Sequence, residues 1–140
     1  MPLATLVVAK VIVVSPRGEL LVLRRSASDV RRPGEWDLPG GHSDGDEFAE
    51  EAATRETLEE AGIQIDPRKL QLLTTRTEMV EADKNVHWLF YAAKTDQTEV
   101  KLSSEHDEYR WVSLDEACDL ISYDRQNHVL EYVRTNSLLA

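Results

Sequence analysis

The sequence predicts an α/β fold, in which a mixed β-sheet lies between helical layers as an α/β/α sandwich. Three observations lead to this prediction. Short runs rich in β-branched residues recur along the chain, a long helix-like segment separates the early runs from the later ones, and further helix-like segments follow. With 140 residues, 41% of them hydrophobic, the chain can bury a core, and we predict one domain over residues 1–140.

The first elements form a predicted hairpin and a loop. Residues 3–14 and 20–25 are strand-like, and residues 15–19 between them have turn composition. Residues 26–35 are polar and basic, which is typical of a loop. The short stretch 36–38 then precedes Pro39 and two consecutive glycines, which allow close backbone contacts that a side chain would forbid.

The next element is a helix predicted over residues 47–61. Asp46 is suited to cap its amino end, and Gly62 stands where helices commonly end. Bulky apolar residues are scarce in this helix, whereas its alanines allow it to pack close to a neighbouring backbone. Such a helix gains little from burial and is better suited to present its polar face.

The remaining elements alternate strands with helices. Strand-like runs follow at residues 70–79, 86–94 and 109–112. Ser113 and Glu116 have the spacing of a capping box, which predicts that a short helix begins there. A final helix is predicted over residues 125–138.

Composition limits the classes of partner and the compartment. The net charge of −10 argues against broad electrostatic binding to nucleic acid polymers or to anionic membranes. The apolar run at residues 3–14 is too short to span a membrane and lacks the features of a secretion signal. Cys118 is the single cysteine, so no intramolecular disulfide can form, and we expect a reducing, cytoplasmic location.

The most informative feature is an acidic face on the helix 47–61. Glu56, Glu59 and Glu60 are spaced i, i+3 and i+4, which places them on one side of a helix, where like charges repel. A solvated surface tolerates that repulsion, and a bound divalent cation neutralises it. Taken alone, such a run is more often a solvated surface than a metal site.

The wider segment resembles a known family signature. Residues 41–63 have the sequence GHSDGDEFAEEAATRETLEEAGI. This spacing resembles the Nudix hydrolase box, G-x5-E-x7-R-E-U-x-E-E-x-G-U, in which U is a bulky apolar residue. The match fails only at Thr57, which is β-branched and close in volume to valine. The resemblance implies a Nudix-type α/β/α sandwich with a mixed β-sheet.

The resemblance also implies a metal site with catalytic roles. Glu56, Glu59 and Glu60 would hold Mg²⁺ or Mn²⁺, helped by the backbone carbonyl near Gly41, and oxygen ligands of this kind suit both ions. Glu59 and Glu60 would therefore be catalytic. Arg55 would orient the carboxylates, through a salt bridge to Glu47, although a plain ion pair on the helix surface is the alternative.

A second acidic cluster, at residues 104–108, resembles the later loop of many Nudix enzymes. There a glutamate supplies a further metal ligand or the catalytic base, and Glu105 is the first choice, with Glu108 second. His106 could carry a proton, but a histidine in a solvated loop is more often neither ligand nor base.

The implied reaction is metal-dependent hydrolysis of a nucleoside diphosphate linked to another group. A MutT-like nucleoside triphosphate pyrophosphohydrolase is favoured, because the proline and tyrosine typical of ADP-ribose and diadenosine polyphosphate hydrolases are missing from residues 77–82. Those hydrolases, nucleotide-sugar pyrophosphatases and a non-catalytic nucleotide-sensing module remain alternatives. Members of the family are often dimers, so a homodimer is one assembly that the resemblance allows.

Candidate contacts to the small-molecule nucleotide lie outside the box. Arg24 and Arg25 are candidates for phosphate binding, with solvent exposure at a strand end as the alternative. Asn127 could bind the edge of a base, since an amide both donates and accepts. An ordinary residue at the start of a helix is the alternative for Asn127.

Overall fold

The computed structural model describes residues 4–139. This part of the chain forms seven strands and three α-helices, with one short 3-10 turn at Pro67–Lys69. The strands are β1 (Ala4–Val14), β2 (Leu20–Arg25), β3 (Trp36–Asp37), β4 (Gly40–His42), β5 (Gln71–Glu81), β6 (Lys84–Lys94) and β7 (His106–Val112). The helices are α1 (Ala49–Ala61), α2 (Leu114–Leu120) and α3 (Asp124–Thr135). The predicted strands and helices are therefore present in the predicted order with shifted ends, whereas β3 and β4 were not predicted as strands. The predicted strand start at Leu3 lies outside the described residues.

The sheet is mixed. Its main path runs β3-β2-β1-β6-β5, with β4 also pairing with β1 and β7 also pairing with β2. β1 and β6 are parallel along their full length, whereas the other pairs are antiparallel. Both faces of β1 are buried towards its carboxyl end, which explains its nearly continuous apolar sequence.

Helices cover both faces of the sheet. The apolar side chains of β1 alternate between two cores. One core contains Val8 and Ile12 and packs against α2 and α3, and the other contains Val11 and Val13 and packs against the alanines of α1. This arrangement confirms the α/β/α sandwich. Among the described residues, no helix is long and apolar enough to cross a membrane.

The ends of α1 differ in one respect from the prediction. Asp46 does not cap the helix, because Phe48 occupies the N-cap position and its N–H donates to Glu51 Oε1 over 3.1 Å. At the other end, Gly62 adopts a left-handed conformation with φ of 70°, and its N–H donates to Leu58 O. The predicted cap of α2 is present, since Ser113 Oγ accepts from the N–H of Glu116.

Candidate metal and nucleotide site

The acidic face of α1 turns towards β4. Glu60 is buried, and its Oε1 accepts from the N–H of Gly40 over 2.9 Å. Glu56 is mostly covered, with a side chain 19% exposed, whereas the Glu59 side chain is 57% exposed. Thr57 is fully buried where the signature has a bulky apolar residue, and its hydroxyl donates to Ala53 O over 2.7 Å. The threonine is therefore accommodated with its polar atom satisfied.

Two glycines bring β4 unusually close to its neighbours. Gly40 has a φ of 123°, and a Cβ there would lie 2.1 Å from Ala9 O of β1. A Cβ on Gly41 would lie 2.8 Å from Glu56 Cδ. The absent side chain at Gly41 thus makes room for a carboxylate directly against the strand.

Arg55 connects the carboxylates around the start of this face. Its guanidinium donates to both oxygens of Glu47, over 2.7 and 3.0 Å, to Glu56 Oε1 over 3.1 Å and to Glu59 Oε1 over 3.3 Å. It also donates to His42 O over 3.0 Å. The hydrogen bond from Arg55 is the main cause that lowers the pKa of Glu47 to about 2. The predicted ion pair between Arg55 and Glu47 is therefore present.

Burial leaves Glu60 in an unusual electrostatic environment. Loss of solvent raises its pKa to about 8, and burial also raises the pKa of Glu56. A divalent cation would offset this cost by favouring the charged carboxylates. Glu56 and Glu60 are largely withdrawn from solvent, whereas Glu59 on the same face remains exposed.

The second acidic cluster, at residues 104–108, lies close to Glu60 of the acidic face. One potential ligand atom from each of Glu60, Glu105 and His106 lies within 4.8 Å of the other two. The carboxylate of Glu108, the second choice, is instead paired with Arg24 at 2.9 Å. His106 does not lie in a solvated loop as expected from the sequence, because it begins β7 and is only 3% exposed.

These acidic residues border an open cavity of about 630 Å³. Gly41, Glu56, Glu60 and Glu105 line it together with six basic side chains, which are Lys10, Arg25, Arg31, Arg32, Lys84 and Arg125. Two aromatic residues, Trp88 and Tyr123, also line the cavity. The guanidinium carbon of Arg32 lies 3.9 Å from the ring centroid of Tyr123, and Trp88 packs edge-on against the same ring. The cavity therefore combines carboxylates, cations and aromatic rings.

The two arginines proposed as phosphate contacts differ in position. Arg25 lines the cavity and is held by Asp29 at 2.8 Å and by Asp37 at 3.1 Å. Arg24 does not line the cavity, and its guanidinium is bound by Asp107 and Glu108. Of the two predicted phosphate contacts, the structure therefore brings only Arg25 to the cavity, and an irregularity in the pairing of β2 with β7 lies between these two arginines.

Asn127 is likewise not a cavity residue. Its amide donates to Cys118 O over 2.7 Å and to Ile121 O over 2.9 Å, which satisfies carbonyls at the end of α2. Its neighbour Gln126 is fully buried, lines the cavity, and accepts from the N–H of Leu38 over 2.8 Å. The correct helix end was predicted, but the amide that faces the cavity is one residue earlier.

Asp37 is a buried charged residue near the cavity that was not predicted from the sequence. It is fully buried, and its carboxylate accepts from Gln126 Nε2 and pairs with Lys10 at 3.4 Å. Burial alone would raise the pKa of Asp37, but Lys10 and the neighbouring donors hold it well below its usual range. The signal available in the sequence was a lone charged residue inside the short apolar stretch 36–38.

Two structural observations favour a cation held by the acidic residues that border the cavity. The space at Gly41 admits the Glu56 carboxylate, and both ring nitrogens of buried His106 have no hydrogen-bond partner within residues 4–139. Glu59 lies outside the lining of the cavity and contacts Arg55, so its direct role as a ligand stays a prediction.

Comparison with known proteins gives consistent results. A family model described as the NUDIX domain matches residues 4–132. The Bis(5'-nucleosyl)-tetraphosphatase [asymmetrical] of Sus scrofa is 39% identical over 101 residues, covering 69% of this chain and 67% of that protein. The Nucleoside triphosphatase NudI of Escherichia coli O139:H28 is 30% identical over 115 residues, covering 76% and 79%. The MutT protein from Methanosarcina mazei Go1 has a similar structure, with a TM-score of 0.78, 28% identity and coverage of 97% and 98%.

Proposed function

This chain belongs to the Nudix hydrolase family, and we propose that it is a nucleoside triphosphate pyrophosphohydrolase dependent on Mg²⁺ or Mn²⁺. The reaction would convert a nucleoside triphosphate and water into a nucleoside monophosphate and pyrophosphate. One observation carries the proposal. A single cavity contains carboxylates suited to a divalent cation and basic side chains suited to a polyphosphate.

The position of each carboxylate determines the role that we propose for it. Glu56 and Glu60, fixed on α1, would hold the cation, with Glu105 on the facing wall and the carbonyl near Gly41 as further ligands. When bound, the cation neutralises phosphate charge and makes a bound water more acidic. The alternative role for the exposed Glu105 is to accept the proton of the attacking water. Glu59 would be the remaining ligand, at the rim.

Arg55 would act through the carboxylates. Its guanidinium is fixed by Glu47 and contacts Glu56 and Glu59, so it sets the positions of the side chains that hold the cation. Its pKa is raised further by these partners, and it therefore stays charged and cannot exchange protons. We regard it as a positioning residue.

The basic lining supplies the charge complement for the substrate. Arg31 and Lys84 line the cavity, and within residues 4–139 no carboxylate lies within 4.0 Å of either cation. We therefore expect these two residues, with Arg25 and Arg32, to bind phosphate oxygens. Local positive charge of this kind explains how a protein with a net charge of −10 can bind a polyanion.

A dinucleoside tetraphosphate is the second candidate substrate. The Sus scrofa relative is a bis(5'-nucleosyl)-tetraphosphatase, and it is more similar to this chain in sequence than NudI is. The two candidates require the same cation site, so the identity of the products must separate them. A triphosphate gives a monophosphate and pyrophosphate, whereas asymmetric cleavage of diadenosine tetraphosphate gives AMP and ATP.

The decisive experiment is a substrate panel with product analysis. Purified protein should be incubated with (d)NTPs, 8-oxo-dGTP, diadenosine tetraphosphate, ADP-ribose and nucleotide sugars, each with Mg²⁺, Mn²⁺ or EDTA. We expect turnover of a triphosphate that EDTA abolishes. Glu59→Gln and Glu60→Gln should each lower kcat by orders of magnitude, whereas Glu116→Gln, at an exposed position of α2, should not. Unchanged turnover in both site variants would reject the assignment.

Location and assembly complete the proposal. We propose a reducing compartment, the cytoplasm, because the free thiol of Cys118 is buried and unpaired. A homodimer stays a prediction, which light scattering on the purified protein would decide.

A further inference from the structure

His106 has a buried imidazole whose ring nitrogens lack hydrogen-bond partners among the described residues. It begins β7 opposite Arg25 of β2, next to an irregularity in the pairing of these strands. Its side chain is 1% exposed, and neither Nδ1 nor Nε2 has a hydrogen-bond partner among the described residues. Buried polar atoms are normally paired, because leaving them unpaired costs free energy.

The imidazole faces the two carboxylates that also border the cavity. A ring nitrogen of His106 lies within 4.8 Å of carboxylate oxygens of both Glu60 and Glu105. Ligand atoms at about 2.1 Å from a metal ion lie about 3 to 4 Å from one another. The three groups therefore lie close to the separation that ligands of one shared cation require.

Asp37 provides the support that a histidine ligand requires. Its Oδ2 lies 3.8 Å from His106 Nε2, and the carboxylate is fixed by Lys10, Arg25 and Gln126. Metal-binding histidines commonly donate their other ring N–H to a carboxylate, which fixes the tautomer and the ring orientation. A small shift of the ring would complete such a pair.

We propose that His106 is a nitrogen ligand of the cation held by Glu60 and Glu105, and that this site prefers transition metal ions over Mg²⁺. The inference rests on the proposed cation site. An imidazole ligand suits first-row transition metals, whereas Mg²⁺ prefers oxygen ligands alone. Affinity should therefore increase from Mn²⁺ to Co²⁺.

Metal binding without nucleotide tests this inference separately from hydrolysis. Metal-free protein is titrated with Co²⁺, Mn²⁺ and Mg²⁺ by calorimetry, with the wild type, His106→Gln and His128→Gln compared. His128 is an exposed histidine on α3 and controls for nonspecific binding. We expect His106→Gln to weaken Co²⁺ binding about 10- to 100-fold and Mg²⁺ binding by less than about threefold, and His128→Gln to change neither.

A spectroscopic measurement on the wild type covers the case in which His106→Gln fails to fold. Pulsed EPR of the Mn²⁺-loaded protein should show a ¹⁴N coupling that changes to the ¹⁵N pattern after labelling with ¹⁵N-histidine. Absence of this coupling, or equal Co²⁺ affinity in the wild type and a folded His106→Gln protein, would overturn the proposal. If nitrogen ligation is found but no nucleotide is hydrolysed, the proposed function fails and the metal site stands.

Discussion

Replacing Glu60 with glutamine should change how stability depends on pH. Burial raises the pKa of Glu60 from 4.5 to about 8 in the metal-free fold. Between these two pH values, the folded protein holds a proton that the unfolded chain has lost. The free energy of unfolding of the metal-free protein should therefore fall as pH rises from 4.5 to 8, and should lose this dependence above 8.

The size of the effect follows from the difference between the two pKa values. Each pKa unit corresponds to about 1.4 kcal/mol, so the charge on Glu60 should cost at most about 5 kcal/mol of stability above pH 8. Glutamine keeps an oxygen that accepts from Gly40 but has no proton to lose. Glu60→Gln should therefore match the wild type near pH 4.5 and exceed it in stability by up to that amount near pH 8.5.

Urea unfolding in EDTA at several pH values measures this difference. Glu59→Gln is the matched control, because its 57% exposed side chain should affect stability little at any pH. Parallel curves of unfolding free energy against pH for the wild type and Glu60→Gln would refute the reasoning. Added Mg²⁺ or Mn²⁺ should stabilise the wild type above pH 7 and should have little effect on Glu60→Gln.

Three further predictions concern the surroundings of the cation. Gly41→Ala should weaken Mn²⁺ binding about 10- to 100-fold while the protein stays folded, because the new Cβ would displace the Glu56 carboxylate; calorimetry and circular dichroism would show both. Arg55→Lys should lower kcat about 10- to 100-fold at saturating metal, since lysine cannot pair with both oxygens of Glu47, and wild-type kcat would contradict this. Asn127→Ala should cost about 1 kcal/mol of stability in thermal unfolding and leave KM for the nucleotide unchanged, whereas a large increase in KM would restore a direct contact to the substrate.

The acidic helix was predictable because its information is local. The spacing of Glu56, Glu59 and Glu60 determines that they share a helix face, and the helix was predicted at residues 47–61 against Ala49–Ala61 in the structure. Gly62 as the helix end followed from the left-handed conformation that glycine adopts easily. Asp46 failed as a cap because Glu51 satisfies the N–H of Phe48 instead.

The residues on the side of the cavity opposite α1 could not be predicted in the same way, because their positions depend on contacts between segments distant in sequence. Whether His106 is solvated depends on the pairing of β7 with β2, which joins residues about eighty positions apart. Similarly, either amide at the start of α3 satisfies the helical pattern, and only the docking of α3 onto β3 determines that Gln126, not Asn127, faces the cavity. A charged residue in a short strand, such as Asp37, indicates an internal ion cluster only when its partners are known.

The hydrogen bonds that join Gln126 to Asp37 and Leu38 have a consequence for folding during biosynthesis. They join residues separated in sequence by 88 and 89 positions, so a long loop must close before they form. Helix α1, with its glutamates, leaves the ribosome well before α3 does. We therefore expect a nascent chain to carry the cation-binding helix early but to acquire a closed cavity only when α3 docks, as the last step of maturation.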